Sequence, residues 1–193
     1  MIAAVAVVLI VLADERASCM ERFAVRAPES ARHYFTKFDA VFATVGRRRG
    51  VEPSLLKAVA YCESRFDPCA ESGAQARGLM QFIGTTFAMV SGDGTSPFDP
   101  IDAIEAAGVY VAALMNYWRG DLEAVVASYN AGPGAVAKAR RAGRRLPAIE
   151  ETERYVECVL GAKARLESAG AQANPRSIFG RLVQAITTQR GTP

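Results

Sequence analysis

The stretch Tyr61–Ile83, YCESRFDPCAESGAQARGLMQFI, decides how this chain is read. It opens on Glu63-Ser64, close to the end of a run in which Leu55, Val59, Cys62 and Phe66 recur at helical spacing. Glu63 follows Val59 and Ala60 by one turn and Leu56 by two, so it points along the apolar stripe of that helix. Desolvation there disfavours the charged carboxylate and raises its pKa, as a general acid working near neutral pH requires. The helix by itself favours a plainer reading, a helix-end glutamate paired with Arg65 or Arg77.

Upstream, Glu52-Pro53 starts this helix, with proline at a position where its missing N–H does no harm. Phe66-Asp67-Pro68 stops it. Before it, from about Arg32 to Val45, the residues Phe35, Phe38, Phe42 and Val45 form one apolar face, ended by Gly46 and the arginines 47–49. His33, the single histidine, reads as a surface or capping residue.

Downstream, Gly78-Leu79-Met80-Gln81 interrupts a segment of small, turn-forming residues and reads as a stretch that lines something. A short helix capped by Thr85 or Thr86 follows. Asp99-Pro100 then caps a helix whose Ile104, Val111 and Leu114 face the core, while Tyr110 and Trp118 are open to core or ligand. Asp121 to Ala127 gives a further helix. It runs into Ser128-Tyr129-Asn130-Ala131-Gly132, where polar tips beside a glycine turn suit a hydroxyl-rich or amide-rich ligand. Glu151-Thr152 and Tyr155-Val156 open another helix, extending through Leu160, and beyond Gly170 the tail reads as loop. No strand-like alternation longer than a few residues is present, so the expected fold is mainly α.

At 193 residues, half of them apolar, the chain supports one well-cored domain with short extensions. A net charge of +3 with dispersed arginines gives no case for nucleic acid. Ile2 to Ala13 is apolar but shorter than the roughly 20 residues that span a membrane, and reads as an export signal. The expected organisation is a signal peptide over 1–17 with cleavage after Ala13 or Ala17, one folded domain over 30–165, and a tail over 166–193 with a short amphipathic helix at Ile178, Leu182, Val183 and Ile186. Export makes Cys19, Cys62, Cys69 and Cys158 candidates for pairing, with Cys62 and Cys69, the nearest in sequence, as the first expectation. Their spacing does not match a zinc knuckle, and no metal site is expected.

Four stretches in one order, Glu63-Ser64, Gly78-Leu79-Met80-Gln81, Tyr129-Asn130-Ala131-Gly132 and Glu151-Thr152 with Tyr155-Val156, resemble the soluble lytic transglycosylases that act on peptidoglycan. The resemblance covers about Tyr34 to Gly161. It implies a lysozyme-like helical domain with a glycan groove and reverses the plainer reading of Glu63, which becomes the single catalytic acid and then base. Ser64 would help to orient Glu63. Met80, Gln81, Tyr129, Asn130 and Tyr155 would line the groove.

The implied reaction cleaves the bond between N-acetylmuramic acid and N-acetylglucosamine without water, metal, nucleotide or other cofactor, and leaves a 1,6-anhydro end. The implied location is the periplasm or cell envelope. The small size further resembles members that open the wall for an envelope-spanning secretion or conjugation complex. A lysozyme-like muramidase and a wall-binding scaffold without chemistry are the alternatives. No evident second carboxylate supports the former, since Asp67, Glu71 and Asp99 read as loop or cap residues. The chain departs from the family pattern at Gln75, where glycine is usual, at Gly84 for proline, and at Ala103 and Ala107 for asparagine and glycine.

Overall fold

A computed structural model describes residues 15–23 and 36–173, with side chains to 169. Residues 1–14 of the expected signal peptide over 1–17, His33, and the amphipathic run from Ile178 lie outside the described residues. Among the described residues a short helix at 15–22 precedes α1 (Asp39–Arg49), α2 (Pro53–Ser64), α3 (Gly84–Val90), α4 (Pro100–Tyr117), α5 (Leu122–Ala131), α6 (Pro133–Arg141) and α7 (Glu150–Ala173). There is no strand among them, only isolated antiparallel bridges at Glu71–Arg77 and Arg77–Phe82. The mainly α expectation therefore holds.

Helix α2 is the central element. Every residue from Leu55 to Ala60 is buried, because α2 packs against α1, α4 and, most extensively, α7. The lysine in that run, Lys57, bonds Asp39 at the start of α1. The core joins Phe42 and Val45 of α1 to Leu56 and Val59 of α2, Ile104 and Val111 of α4, Val125 of α5 and Val159 of α7. Burial of such side chains stabilises by about 1.5 to 3 kcal/mol each before conformational entropy is charged against it. Trp118 fits this core because its indole N–H donates to the buried Ser128 hydroxyl at 2.8 Å.

The Asp99 and Asp121 carboxylates cap α4 and α5, accepting from backbone N–H groups at the helix starts. Other boundaries differ from the sequence reading. Helix α1 passes through Gly46 and ends at Arg49, where Gly50 turns the chain at φ 68°. Gly46 is there for a tertiary reason: a Cβ would stand 2.6 Å from the Val51 carbonyl oxygen and 2.9 Å from the Pro53 ring. Helix α3 starts one or two residues before the expected threonine caps, following an extended Ile83 with no side-chain cap. Helix α6 is an addition. Pro133 sits in its first turn after Gly132, and Val136 and Ala139 recur on its buried face. Helix α7 runs three residues past Gly170.

The expected Cys62–Cys69 pair does not form. Cys62 bonds Cys158, across α2 and α7, and Cys19 bonds Cys69. The cause lies in the end of α2, where Arg65 and Phe66 adopt φ 55° and 65° and turn the chain away. Cys69 then packs with Phe98 and Cys19 rather than beside Cys62. The two bridges close sequence separations of 50 and 96 residues. Loop-closure entropy alone then gives each about 4 to 5 kcal/mol of stabilisation.

Candidate active site

Glu63 is the penultimate residue of α2. The helix end is fixed by Ser64, whose single hydroxyl proton goes to the Leu79 carbonyl at 2.8 Å, with the Ala60 carbonyl at 3.2 Å as the weaker, alternative acceptor. Ser64 thus serves Glu63 through the backbone, by tying α2 to the Gly78–Gln81 turn, and does not touch a ligand space. The turn itself is held by reciprocal Arg77 and Phe82 backbone bonds at 3.0 Å and by the Gly78 N–H to the Ala70 carbonyl at 2.8 Å. The Gln81 side-chain amide donates to the Ala70 and Gly78 carbonyls.

A cleft of about 670 Å³ opens over this turn. Glu63, Gln81, Tyr129, Asn130 and Tyr155 line it, so α2, the turn, α5 and α7 converge on one space. Met80 does not line it. Its side chain is fully buried in the core, and its carbonyl accepts from the Tyr129 hydroxyl at 2.9 Å. Phe82, Tyr110 and Tyr129 stack into one wall, with ring centroids 5.5 to 6.3 Å apart. Asn130 is held by α7: its carbonyl oxygen accepts from Thr152 at 2.8 Å and its amide reaches Glu151 at 3.4 Å.

Neither arginine of the plainer reading pairs with Glu63 among the described residues. Arg77 bonds Glu71, and Arg65 lies over the Tyr61 ring, 4.2 Å from its centroid. Burial pushes the Glu63 carboxyl from 4.5 to about 7; the facing Tyr155 hydroxyl draws it down and the Glu151 charge adds to the rise. The Tyr155 hydroxyl sits buried and short of a well-formed hydrogen bond to any protein group, so it interacts with Glu63 while keeping bonding capacity for a ligand. Burial, then the Glu63 charge, holds the Tyr129 and Tyr155 hydroxyls well above the usual range. Both remain donors at neutral pH.

The arrangement can give and take a proton at Glu63, with hydroxyl and amide groups beside it. The residues that match the transglycosylase SLT domain model run from 40 to 151, more than half of the chain. The chain belongs to the transglycosylase SLT domain family. Similar sequences include membrane-bound lytic murein transglycosylase C of Yersinia enterocolitica, 36% identical over 105 residues, covering 46% of this chain and 29% of that protein. The Serratia proteamaculans protein of the same name is 32% identical over 118 residues, covering 53% and 33%. The chain therefore spans about a third or less of the length of these curated relatives.

Among solved structures, an inactive mutant of the lytic transglycosylase Slt from Pseudomonas aeruginosa matches with TM-score 0.62 and 25% identity over 66% of this chain and 23% of that one. The 70 kDa soluble lytic transglycosylase of Escherichia coli matches with TM-score 0.62 and 24% identity over 76% of this chain and 25% of that one.

Set in the SLT family, the departures of this chain find local explanations. Ala103 and Ala107 are fully buried, and the close approach of α4 to α1 falls on Gly108, where a Cβ would meet Val45 at 2.4 Å. Gly84 occupies the first turn of α3, a position proline also tolerates. Gln75 is the costly one, since it holds φ 59° in the turn beside the cleft. Gln75→Gly should stabilise the domain by about 0.5 to 1 kcal/mol, relief of left-handed strain being partly offset by glycine's entropy. Thermal melts check this, and a lower Tm would show that the turn gains nothing from glycine.

Sequence reasoning gave no site role to Arg154 and Phe82, and none to Glu151 beyond the motif that contains it, yet all three line the cleft. Tyr110, left open to core or ligand, lines it too, whereas Trp118 packs against the core. Tyr129 and Asn130, read as sugar-positioning residues, also carry internal bonds. Tyr129→Phe should therefore cost about 1 to 2 kcal/mol, by leaving the Met80 carbonyl without its donor, as well as weaken turnover. Denaturant melts alongside rate measurements check both effects; an unchanged midpoint would mean that water replaces the hydroxyl.

Proposed function

We propose that the chain cleaves peptidoglycan glycan strands as a lytic transglycosylase. The observation that carries this is one half-buried glutamate at a helix end, facing a cleft with its carboxyl raised to about 7. Near neutral pH a large fraction of Glu63 is protonated, so it can give its proton to the oxygen bridging N-acetylmuramic acid and N-acetylglucosamine. The C1–O bond breaks with that transfer, and the muramoyl N-acetyl oxygen shields the electron-poor anomeric carbon. Glu63, now a carboxylate, takes the proton of the same sugar's C6 hydroxyl as O6 closes on C1. The product is a 1,6-anhydromuramoyl end, and Glu63 returns to its protonated state.

Tyr155, buried and facing Glu63, stabilises the carboxylate stage. The aromatic wall and the Asn130 amide position the acetamido and hydroxyl groups. Gln81 contributes at the cleft floor through the turn that it holds. Ser64 acts by holding the end of α2 to the Leu79 carbonyl, and Met80 by accepting the Tyr129 hydroxyl at its own carbonyl.

A second reading is favoured by Glu151, a carboxylate lining the same cleft. With it as base toward a water, the pair would hydrolyse the bond as a lysozyme-like muramidase. The lyase reading is preferred because Glu151 is exposed at the first turn of α7, and the family pattern carries it. Export by residues 1–17 to the periplasm or cell envelope, with the catalytic domain over 30–165, agrees with two bridges that an oxidising compartment favours. Work at an envelope-spanning secretion or conjugation complex is the partner reading that goes with export to the cell envelope.

Purified sacculi incubated with the protein across pH provide the test. Soluble fragments should appear, at a rate that declines as pH rises through about 7 and Glu63 loses its proton. Binding to sacculi with no release of fragments would make the chain a wall-binding scaffold.

A further inference from the structure

Glu63 and Tyr155 approach each other from different helices, and a covalent bond joins those helices beside them. Cys62 immediately precedes Glu63 on α2, Cys158 follows Tyr155 by three residues on α7, and the two are bonded. Positions three apart lie on the same helix face, so the bridge and the Tyr155 ring share the side of α7 that looks into the cleft. Both bridge residues line the cleft and are half-buried. The Cys19–Cys69 bridge, by contrast, is 0% and 2% exposed. Different surroundings thus give one disulfide access from the ligand space and deny it to the other.

We propose that the Cys62–Cys158 bridge is a positioning element that sets the Glu63–Tyr155 geometry, and that its opening by a dithiol reductant entering the cleft turns activity down reversibly. This rests on Glu63 as the acid of the preceding section. A thiolate of the dithiol attacks one bridge sulfur and releases the other cysteine as a thiolate. The second thiol of the reductant then displaces the attacked cysteine, leaving two protein thiols and one oxidised dithiol, a two-electron exchange with nothing left over. Opening need not unfold the domain. Ser64 still ties the end of α2 to Leu79, and Val59, Val156 and Val159 still belong to one core. The two reacting side chains are nevertheless free to drift, and a displacement of about 1 Å can cost up to ~100-fold in rate.

The full oxidised chain is treated with dithiothreitol below its melting temperature, thiols are alkylated and mapped by mass spectrometry, and kcat and KM are measured on soluble glycan strands. Cys62 and Cys158 should be labelled first with Cys19 and Cys69 still bonded. At that stage kcat should fall roughly ten- to hundredfold with little change in KM or circular dichroism, and reoxidation should restore it. The double variant Cys62→Ala with Cys158→Ala should reproduce the loss, whereas Cys19→Ala with Cys69→Ala should not.

Unchanged kcat with the cleft bridge open, equal loss in both double variants, or loss that tracks unfolding would each overturn the proposal and leave the bridge a staple. Inactivity of the fully bridged protein is a separate outcome. It overturns the assignment of Glu63, and this proposal with it.

Discussion

Replacing Glu63 by glutamine is expected to lower turnover of glycan strands by roughly 10²- to 10⁴-fold, the usual contribution of a positioned acid–base group. Glutamine keeps the shape but neither delivers nor removes a proton, so strand binding should persist. Stability supplies an independent readout. The folded carboxyl titrates at about 7 against an ordinary 4.5, so the native state holds the proton more tightly than the unfolded chain. The resulting penalty is absent below about 4.5, grows as pH rises and is complete above about 7. Glu63→Gln should therefore be more stable than the native protein at about pH 8 and no more stable at about pH 4. Chemical denaturation at both values checks this, and a pH-independent difference would mean that the carboxyl is not desolvated.

Gly78→Ala should be the most destabilising single methyl in the domain. Gly78 holds φ 73°, and an added Cβ would stand 1.7 Å from the Pro97 carbonyl oxygen and 2.7 Å from its carbon. The obstacle is backbone, so relief requires the Gly78 turn and the Pro97 segment to part. Separation would weaken the Gly78–Ala70 bond and the contact of Ser64 with Leu79 that fixes the end of α2. A loss of about 3 to 5 kcal/mol is expected, with a fall in Tm of roughly 10 °C. Gly92→Ala is the control, since nothing lies within 4 Å of its would-be Cβ, and it should change stability by less than about 0.5 kcal/mol. Similar melts for the two variants would mean that the turn yields easily.

The helices that build the site were legible because their apolar positions recur at helical spacing and their starts carry Pro53, Asp99-Pro100 and Asp121. Glu63 was legible for the same reason: its neighbours in sequence are also its neighbours in space, along α2. Gly46 shows where this reasoning stops. Glycine at a helix-like boundary reads as a terminator, whereas here it lets α1 lie against Val51 and Pro53, a tertiary demand that local pattern does not encode.

Pairing of the cysteines fails to be local for a related reason. Two left-handed residues, Arg65 and Phe66, part Cys62 from Cys69, and neither is a residue type that announces that conformation. Glu151 acquires its influence on Glu63 through packing of α7 on α2 and α5, so its role becomes visible once the helices are assembled. Ser64 and Met80 stand in the right motifs, yet serve the site through Leu79 and Met80 carbonyls rather than through contact with the cleft.

If one glutamate cuts by intramolecular closure, the end group of the product records it. Sacculi digested by the native protein and analysed by mass spectrometry without prior reduction should yield muropeptides ending in 1,6-anhydromuramoyl residues, each one water lighter than its hydrolysed counterpart. Reducing ends in their place would rule out closure and assign the cleft, with Glu63 and Glu151, to hydrolysis.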